Sequence, residues 1–151
     1  MRLALLTLAA ALPAALIARS DAPVTVIGHD RVTAAFAQGS PLIETADYKI
    51  HASRRDAPGG AEIHTRDTDI AYVLQGSATL VTGGSATDVR STGPEELRGS
   101  GITGGETREL KAGDVVVIPN GVPHWFSRVD APFLYYVVKV RQDERPAPGG
   151  M

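Results

Sequence analysis

Residues 113–124 read GDVVVIPNGVPH, and this stretch predicts a short strand that delivers one histidine to a buried site. Its β-branched VVVI run is typical of a strand. Pro119 ends the strand because it has no N–H to donate, and Gly121 supplies the backbone freedom that a tight turn needs. His124 then opens the next apolar segment. A single histidine proves little, so the interpretation depends on the partners that the chain brings to it.

The composition favours one all-β domain and limits the chemistry of any site. The chain has 151 residues, which is enough for a single domain with a real core. Its 17 acidic and 15 basic side chains nearly balance, so a nucleic-acid partner has no electrostatic support. The 16 glycines and 10 prolines favour short strands and turns. The absence of cysteine excludes disulfides and thiolate metal sites, which leaves carboxylates and four histidines as candidate metal ligands.

The first 22 residues have the layout of a secretory signal peptide. A basic start is followed by an uncharged Ala/Leu-rich run from Leu3 to Ala18. This run is short for a membrane span, and Pro13 interrupts it, although an uncleaved N-terminal anchor is the alternative. We therefore expect a periplasmic or secreted protein whose mature chain has no membrane span.

The remaining chain predicts one short helix and many short strands. The segment from Asp30 to Gly39 is typical of a helix that Asp30 caps and Gly39 ends. Extended patterns then recur at close intervals, over residues 42–55, 61–66, 69–75, 77–82, 107–111 and 133–141. Many short strands separated by turns favour a sandwich or a barrel. Residues 23–145 are predicted to form this single domain, and residues 146–151 a disordered tail.

Residues 83–105 are rich in Gly, Ser and Thr and predict a long loop, with one helical turn from Pro94 to Leu97. A loop of this length in a compact domain is usually functional or mobile. Two interpretations stay open, a solvated insertion and a lid or rim over the mouth of the barrel.

Partners for His124 lie around residue 64. Glu62 and His64 are two positions apart on a predicted strand, so their side chains leave the same face about 6.5–7 Å apart. Asp69 follows a turn at the start of the next strand and can fold back towards His64. Together the four groups offer two imidazoles and two carboxylates to one divalent ion. That mixture suits Mn, Fe or Zn, and Cu or Ni less well.

These two stretches resemble the paired motifs of the cupin family. The second motif (Gly, five residues, Pro, one residue, Gly, two residues, His) is matched without a gap by Gly113, Pro119, Gly121 and His124. The first ends with His, three or four residues, an acidic residue, six residues and Gly, and it is matched by His64, Asp69 and Gly76. The sequence departs from the family where Glu62 replaces the usual first His and Asp69 the usual Glu. Arg128 stands where an Asn often closes the second motif.

The resemblance extends over about residues 42–141 and implies an all-β double-stranded β-helix, or jelly-roll barrel, with a metal in its interior. It implies His64 and His124 as metal ligands, with Asp69 at the Glu position and Glu62 at a His position. It also implies a homodimer, because cupins commonly pair. Cupin reactions include dioxygenation, isomerisation, decarboxylation and lyase chemistry, and the fold does not choose among them.

The leading hypothesis is a metal-dependent oxidoreductase, isomerase or lyase acting on a small organic molecule. The alternative is a non-enzymatic module that binds a small molecule or a metal. A third hypothesis is a degenerate barrel in which an inward Arg66 or Arg128 replaces the cation. Two imidazoles and two carboxylates would leave a divalent ion with no net charge, and such a site is a weaker Lewis acid than one with three imidazoles and one carboxylate.

Glu62 and Asp69 each have a second predicted role. Glu62 is the best general base within reach if it is not a ligand, and its alternative role is an ion pair with Arg66. Asp69 has the alternative role of capping the preceding turn.

The last strand has a predicted inward face. Because burying a charge is unfavourable, Lys139 is expected to face outward, which predicts that Leu134, Tyr136 and Val138 face inward. Tyr136 could then donate a hydrogen bond to a substrate, with core packing as its alternative role.

Overall fold

The computed structural model describes residues 23–142, in which one helix is followed by eleven strands. The predicted signal peptide and the predicted disordered tail lie outside the described residues. The helix α1 spans His29–Gln38. The strands are β1 (Ser40–Glu44), β2 (Tyr48–Arg55), β3 (Ala61–His64), β4 (Asp67–Thr82), β5 (Ser85–Thr87), β6 (Arg90–Gly93), β7 (Glu96–Gly99), β8 (Gly101–Thr103), β9 (Glu106–Lys111), β10 (Val115–Ile118) and β11 (His124–Arg141).

Two long antiparallel strands form the frame of the barrel. Strand β4 has 16 residues and β11 has 18, and they pair along almost their whole lengths. Strand β11 also pairs with β2 and β3, while β4 pairs with β9 and β10, so nine strands join in one curled sheet. Strands β5 and β8 form a separate two-stranded ribbon. This architecture confirms the predicted all-β barrel with a short N-terminal helix.

Helix α1 covers part of the outer face of the sheet. It ends at Gly39 in the left-handed conformation, as predicted, with φ of 64°. Its N-cap is Gly28, two residues before the predicted cap, so Asp30 lies in the first turn and does not cap the helix. The ring of Phe36 meets the ring of Tyr136 edge-on, with centroids 4.9 Å apart. Among the described residues, no helix is long and apolar enough to cross a membrane.

The inward face of β11 is opposite to the predicted one. The prediction that Leu134, Tyr136 and Val138 face inward is wrong, because the buried residues of this stretch are Phe133, Tyr135 and Val137. These three join Val73 and Leu80 in the main apolar core. Lys139 shares their face, so a charged side chain enters the barrel.

Three irregularities in the ladder between β4 and β11 accompany the reversal. Register shifts occur between Phe126 and Arg128, between Asp130 and Leu134, and between Leu134 and Tyr135. Before the first shift the inward residues are the even-numbered His124 and Phe126, and from Phe133 onwards they are odd-numbered. The expectation that Lys139 would avoid the interior is wrong, because Lys139 lies directly opposite Asp69 and pairs with its carboxylate.

The segment predicted as a loop is largely extended. Strands β5 to β8 lie within residues 83–105, and the predicted helical turn from Pro94 to Leu97 is wrong, because Glu96 begins β7. Strand β7 pairs with β3 through all four of its residues. The segment therefore forms a wall beside the predicted metal ligands.

Two motif glycines allow a matched test of the fold. Gly76 and Gly121 have almost the same φ, 78° and 79°, which a side chain disfavours. A Cβ at Gly76 would lie 2.6 Å from the carbonyl oxygen of Pro132, whereas a Cβ at Gly121 would meet no atom within 4 Å. We expect Gly121→Ala to lower the free energy of unfolding by about 1 kcal/mol, from the backbone strain alone. Gly76→Ala should cost about 3 kcal/mol or more, because the clash adds to the strain. Urea unfolding measures both, and equal losses would contradict the close packing at Gly76.

Candidate metal centre

Strand β3 brings the predicted metal ligands together. Glu62 lies directly opposite His124 of β11, and on the other side of β3 His64 lies opposite Glu96 of β7. The turn of the second motif is attached to the same strand, because the Gly121 N–H donates to the His64 carbonyl oxygen at 2.8 Å. The pairing of one short strand therefore places Glu62, His64 and His124 around a common point.

Both imidazoles are oriented by the nitrogen that faces away from that point. The Nδ1 atom of His64 lies 2.8 Å from Oε2 of Glu96, and Nδ1 of His124 lies 3.1 Å from the carbonyl oxygen of Val122. Since a carboxylate and a carbonyl can only accept, each Nδ1 carries a proton and donates it. Each Nε2 is thereby turned towards the interior, which is how outer partners orient metal-binding histidines. Burial lowers the pKa of His124, so its Nε2 offers a lone pair.

Glu62 is oriented in the same way by two guanidinium groups. Its Oε1 accepts a hydrogen bond from Nη2 of Arg55 at 2.8 Å and forms an ion pair with Nη1 of Arg98 at 2.5 Å. Its Oε2 faces the histidines, 3.8 Å from Nε2 of His64 and 3.9 Å from Nε2 of His124. Burial opposes ionisation of Glu62, but Arg55 and Arg98 outweigh it and lower its pKa to about 2. A carboxylate of that pKa is a poor general base at neutral pH and a good anionic ligand.

The donor set fits a divalent metal ion. The ligand atoms of Glu62, His64 and His124 all lie within 4.8 Å of one another. Tetrahedral ligands bonded at 2.0–2.2 Å are about 3.4 Å apart, so small side-chain movements would close this group on one ion. Two imidazoles and a carboxylate suit Mn, Fe or Zn.

Asp69 lies beside this group but has another partner. Both of its carboxylate oxygens accept from Lys139 Nζ, at 2.8 and 2.7 Å, and its Oδ2 is 3.4 Å from Nε2 of His64. The structure therefore assembles three of the four predicted ligands directly. The fourth is close enough to join them only if Lys139 moves.

Lys139 also contacts His64 itself. The Nζ atom of Lys139 lies 2.8 Å from Nε2 of His64, so only one proton fits between the two nitrogens. Burial lowers the pKa of His64, but Asp69 and Glu96 outweigh it and raise the pKa to about 9. The acidic neighbours thus favour one positive charge at this point, carried either by the ammonium of Lys139 or by the imidazolium.

Other predicted residues lie away from the centre. Tyr136 does not line the pocket but packs on Phe36 outside the barrel, and this corrects its predicted role as a hydrogen-bond donor to substrate. Arg66 binds the Gln142 carbonyl oxygen, and Arg128 is 70% exposed, so neither enters the barrel. The degenerate-barrel hypothesis required an inward Arg66 or Arg128, and the cations that line the cavity include instead Arg55, Arg98 and Lys139.

Sequence reasoning missed several residues of the site. Tyr135 occupies the place predicted for Tyr136, and its Oη accepts from Nε of Arg55 at 3.0 Å. Burial raises the pKa of Tyr135, so its hydroxyl keeps its proton. His51, Ser53 and Arg55 alternate along β2 and all line the cavity, so strand alternation could have identified Arg55. Nothing in the sequence pattern indicated Glu96, because its segment looked like a loop.

A cavity of about 390 Å³ is lined by the predicted metal ligands. Its other lining residues include the charged Arg55, Glu96, Arg98 and Lys139 and the largely apolar Ala71, Val116, Ile118, Phe126, Tyr135 and Val137. The volume lies within the range of small-molecule pockets. The cavity therefore gives a small ligand access to the donor atoms.

Comparisons with known proteins agree with the barrel. A sequence model of the family described as Cupin matches residues 29–145. The Bacillus halodurans protein BH2720 superposes with a TM-score of 0.55 at 16% identity, over 83% of this chain and 86% of that one. An uncharacterised Klebsiella pneumoniae protein with a double-stranded β-helix domain gives 0.53 at 17% identity, over 85% and 93%. A comparison with curated proteins finds no match. At these identities the two structures support the fold alone.

The low pKa of Glu62 can be tested by measuring the stability of the fold at acidic pH. A folded pKa of about 2 against an ordinary 4.5 means that this carboxylate stabilises the fold above pH 4.5 and loses that effect as the pH falls through about 2. We expect Glu62→Gln, studied without metal, to lower the free energy of unfolding by about 3 kcal/mol at pH 7. It should also flatten the decline of stability between these pH values.

Asp56→Asn is the matched control. Asp56 also pairs with an arginine, Arg54, but on the surface, so its replacement should leave stability almost unchanged. Chemical unfolding from pH 7 down to pH 2 measures all three proteins. Parallel acid profiles for the wild type and Glu62→Gln would refute the assignment.

Proposed function

The chain belongs to the cupin family, and from that premise we propose that its barrel binds a divalent metal ion and catalyses a reaction of a small organic molecule beside it. The observation that carries the proposal is the orientation of three donor groups. Glu62, His64 and His124 each have one polar atom fixed from behind by a hydrogen bond and a second atom facing the same point. Such orientation would be unexpected for buried polar groups with only a packing role.

Each ligand has a defined part in this proposal. Glu62, His64 and His124 would hold the ion, and Asp69 would join them once it parts from Lys139. When bound, the ion supplies Lewis-acid chemistry that polarises a carbonyl or enolate oxygen of the substrate. Mn, Fe and Zn are the proposed candidates, because each accepts mixed imidazole and carboxylate ligands.

The surrounding residues would bind and orient the substrate. Tyr135 keeps its hydroxyl proton and lines the cavity, so it can donate a hydrogen bond to a substrate oxygen. Phe126 and Val137 are buried and form an apolar wall that excludes water from the reacting groups. Glu62 acts as a ligand in this scheme rather than as the general base, since its pKa is about 2.

We also propose the homodimer that the family resemblance implies. The outer face of β4 exposes Ile70, Tyr72 and Leu74. Strand β10 pairs beside it and exposes Val115 and Val117. Contiguous exposed apolar side chains of this kind mark protein interfaces.

Metal binding is the direct test of the function. Protein purified without a metal-binding tag should contain Mn, Fe or Zn by elemental analysis, and titration calorimetry should show binding of an equimolar amount. His64→Ala and His124→Ala should each weaken that binding by at least about 100-fold, because each removes a ligand. His29→Ala is the control, since His29 is exposed at the start of α1 and should leave binding unchanged.

Two outcomes would count against the proposal. Protein that holds no metal and binds no divalent cation would refute the metal centre. Metal binding with tight capture of a small ligand, but without turnover, would identify a binding module in place of an enzyme.

A further inference from the structure

We propose that this pocket binds a carboxylate together with the metal ion, and that Lys139 moves from His64 to that carboxylate when the ion binds. The inference rests on the proposed function and deepens it, because it names an anionic substrate class. It follows from two features of the site, a steric conflict at His64 and the balance of charge in the cavity.

The steric conflict lies at one nitrogen. The Nζ atom of Lys139 occupies the interior side of His64 Nε2 at 2.8 Å. A metal ion bound to that nitrogen would lie about 2.0–2.1 Å from it, on the same lone pair. The two cations therefore exclude each other, and metal binding requires Lys139 to leave. Its flexible four-carbon stem allows the ammonium to move without any change in the strand.

The released ammonium remains inside the cavity. The side chain of Lys139 is 12% exposed, and the neighbouring inward residues of β11 are Tyr135 and Val137. If Asp69 turns to the metal, Lys139 loses its carboxylate partner as well. A buried ammonium without a counter-ion is costly, so it needs a new anion within reach.

Without a metal ion, the charged groups that line the cavity balance one another. Three carboxylates line the cavity, from Glu62, Asp69 and Glu96. They face two guanidinium groups, from Arg55 and Arg98, and the single proton that Lys139 and His64 share. These three positive charges balance the three negative ones. A fourth cation at the rim, Arg54, has its own partner in Asp56.

A divalent ion would disturb this balance by two positive charges, because Lys139 keeps its ammonium as it leaves His64. The count differs from that of the neutral metal site predicted from the sequence, because it includes the counter-ions of the ligands. A bound carboxylate offsets one of these two charges and gives the ammonium a partner. The cavity of about 390 Å³ has room for a small carboxylate beside the ion.

Coupling between metal and anion tests this inference. The probes are Mn²⁺, glycolate and glycolamide, the last being a neutral molecule of nearly the same shape as glycolate. After correction for metal–glycolate complexes in solution, calorimetry should show that glycolate binds about tenfold more tightly when Mn²⁺ is present. Glycolate should tighten Mn²⁺ binding by the same factor, because coupling is reciprocal. Glycolamide should show less than about a twofold effect.

Variants of Lys139 isolate its contribution. Lys139→Met removes the competing ammonium, so Mn²⁺ alone should bind about tenfold more tightly and the coupling to glycolate should largely disappear. Lys139→Gln, which can still donate a hydrogen bond to Asp69, should behave in the same way and guards against misfolding of the first variant.

Lys49→Met is the matched control. Lys49 lies opposite Lys139 on β2 and pairs with another buried carboxylate, that of Asp67, and its loss should leave the coupling intact.

The outcomes separate this inference from the proposed function. Absence of binding of Mn²⁺, Fe²⁺ and Zn²⁺ overturns both. Metal binding with equal effects of glycolate and glycolamide overturns only the inference. Unchanged affinities in both Lys139 variants would do the same, because they would show that the ammonium and the metal do not compete.

Discussion

The pairing of the four-residue strand β3 between β11 and β7 is the constraint on which the site depends. It sets Glu62 opposite His124 on one side, and it sets Glu62 and His64 opposite Arg98 and Glu96 on the other. The same strand thus supplies two donor groups and positions the counter-ions that orient them. A shift of β3 by one residue would turn both side chains out of the barrel. The hydrogen bond from Gly121 to the His64 carbonyl attaches the second motif to this register.

The electrostatics of the barrel are set by ion pairs rather than by the ligands alone. Arg55 and Arg98 bind Glu62, and Lys139 binds Asp69, so both predicted carboxylate ligands are already neutralised. An ion that enters therefore meets a cavity with no net negative charge. We propose that its affinity depends on the imidazoles, on release of Lys139 and on an anion that accompanies it. Such a centre would differ from one in which the carboxylate ligands have no other counter-ion and only offset the charge of the metal.

The fold, His64 and His124 could be predicted from the sequence because motif spacing depends only on the local chain. Strand alternation also placed Glu62 beside His64 correctly. Tyr135 and Lys139 could not be predicted, because register shifts in the ladder between β4 and β11 reverse the inward face and leave no local signal. Glu96 and Arg98 lie in a Gly- and Ser-rich stretch that becomes strand only by pairing with β3 and β6, and long-range pairing of that kind is invisible to periodicity.

The central claim is that Glu62, His64 and His124 share one ion. X-ray absorption spectroscopy of the protein loaded with an equimolar amount of Zn²⁺ tests it most directly. The account predicts nitrogen and oxygen ligands at about 2.0–2.1 Å, with the outer-shell scattering of two imidazole rings. It also predicts that one imidazole disappears from the spectrum of His124→Ala. A spectrum with fewer than two imidazoles in the wild type, or one unchanged by that substitution, would contradict it.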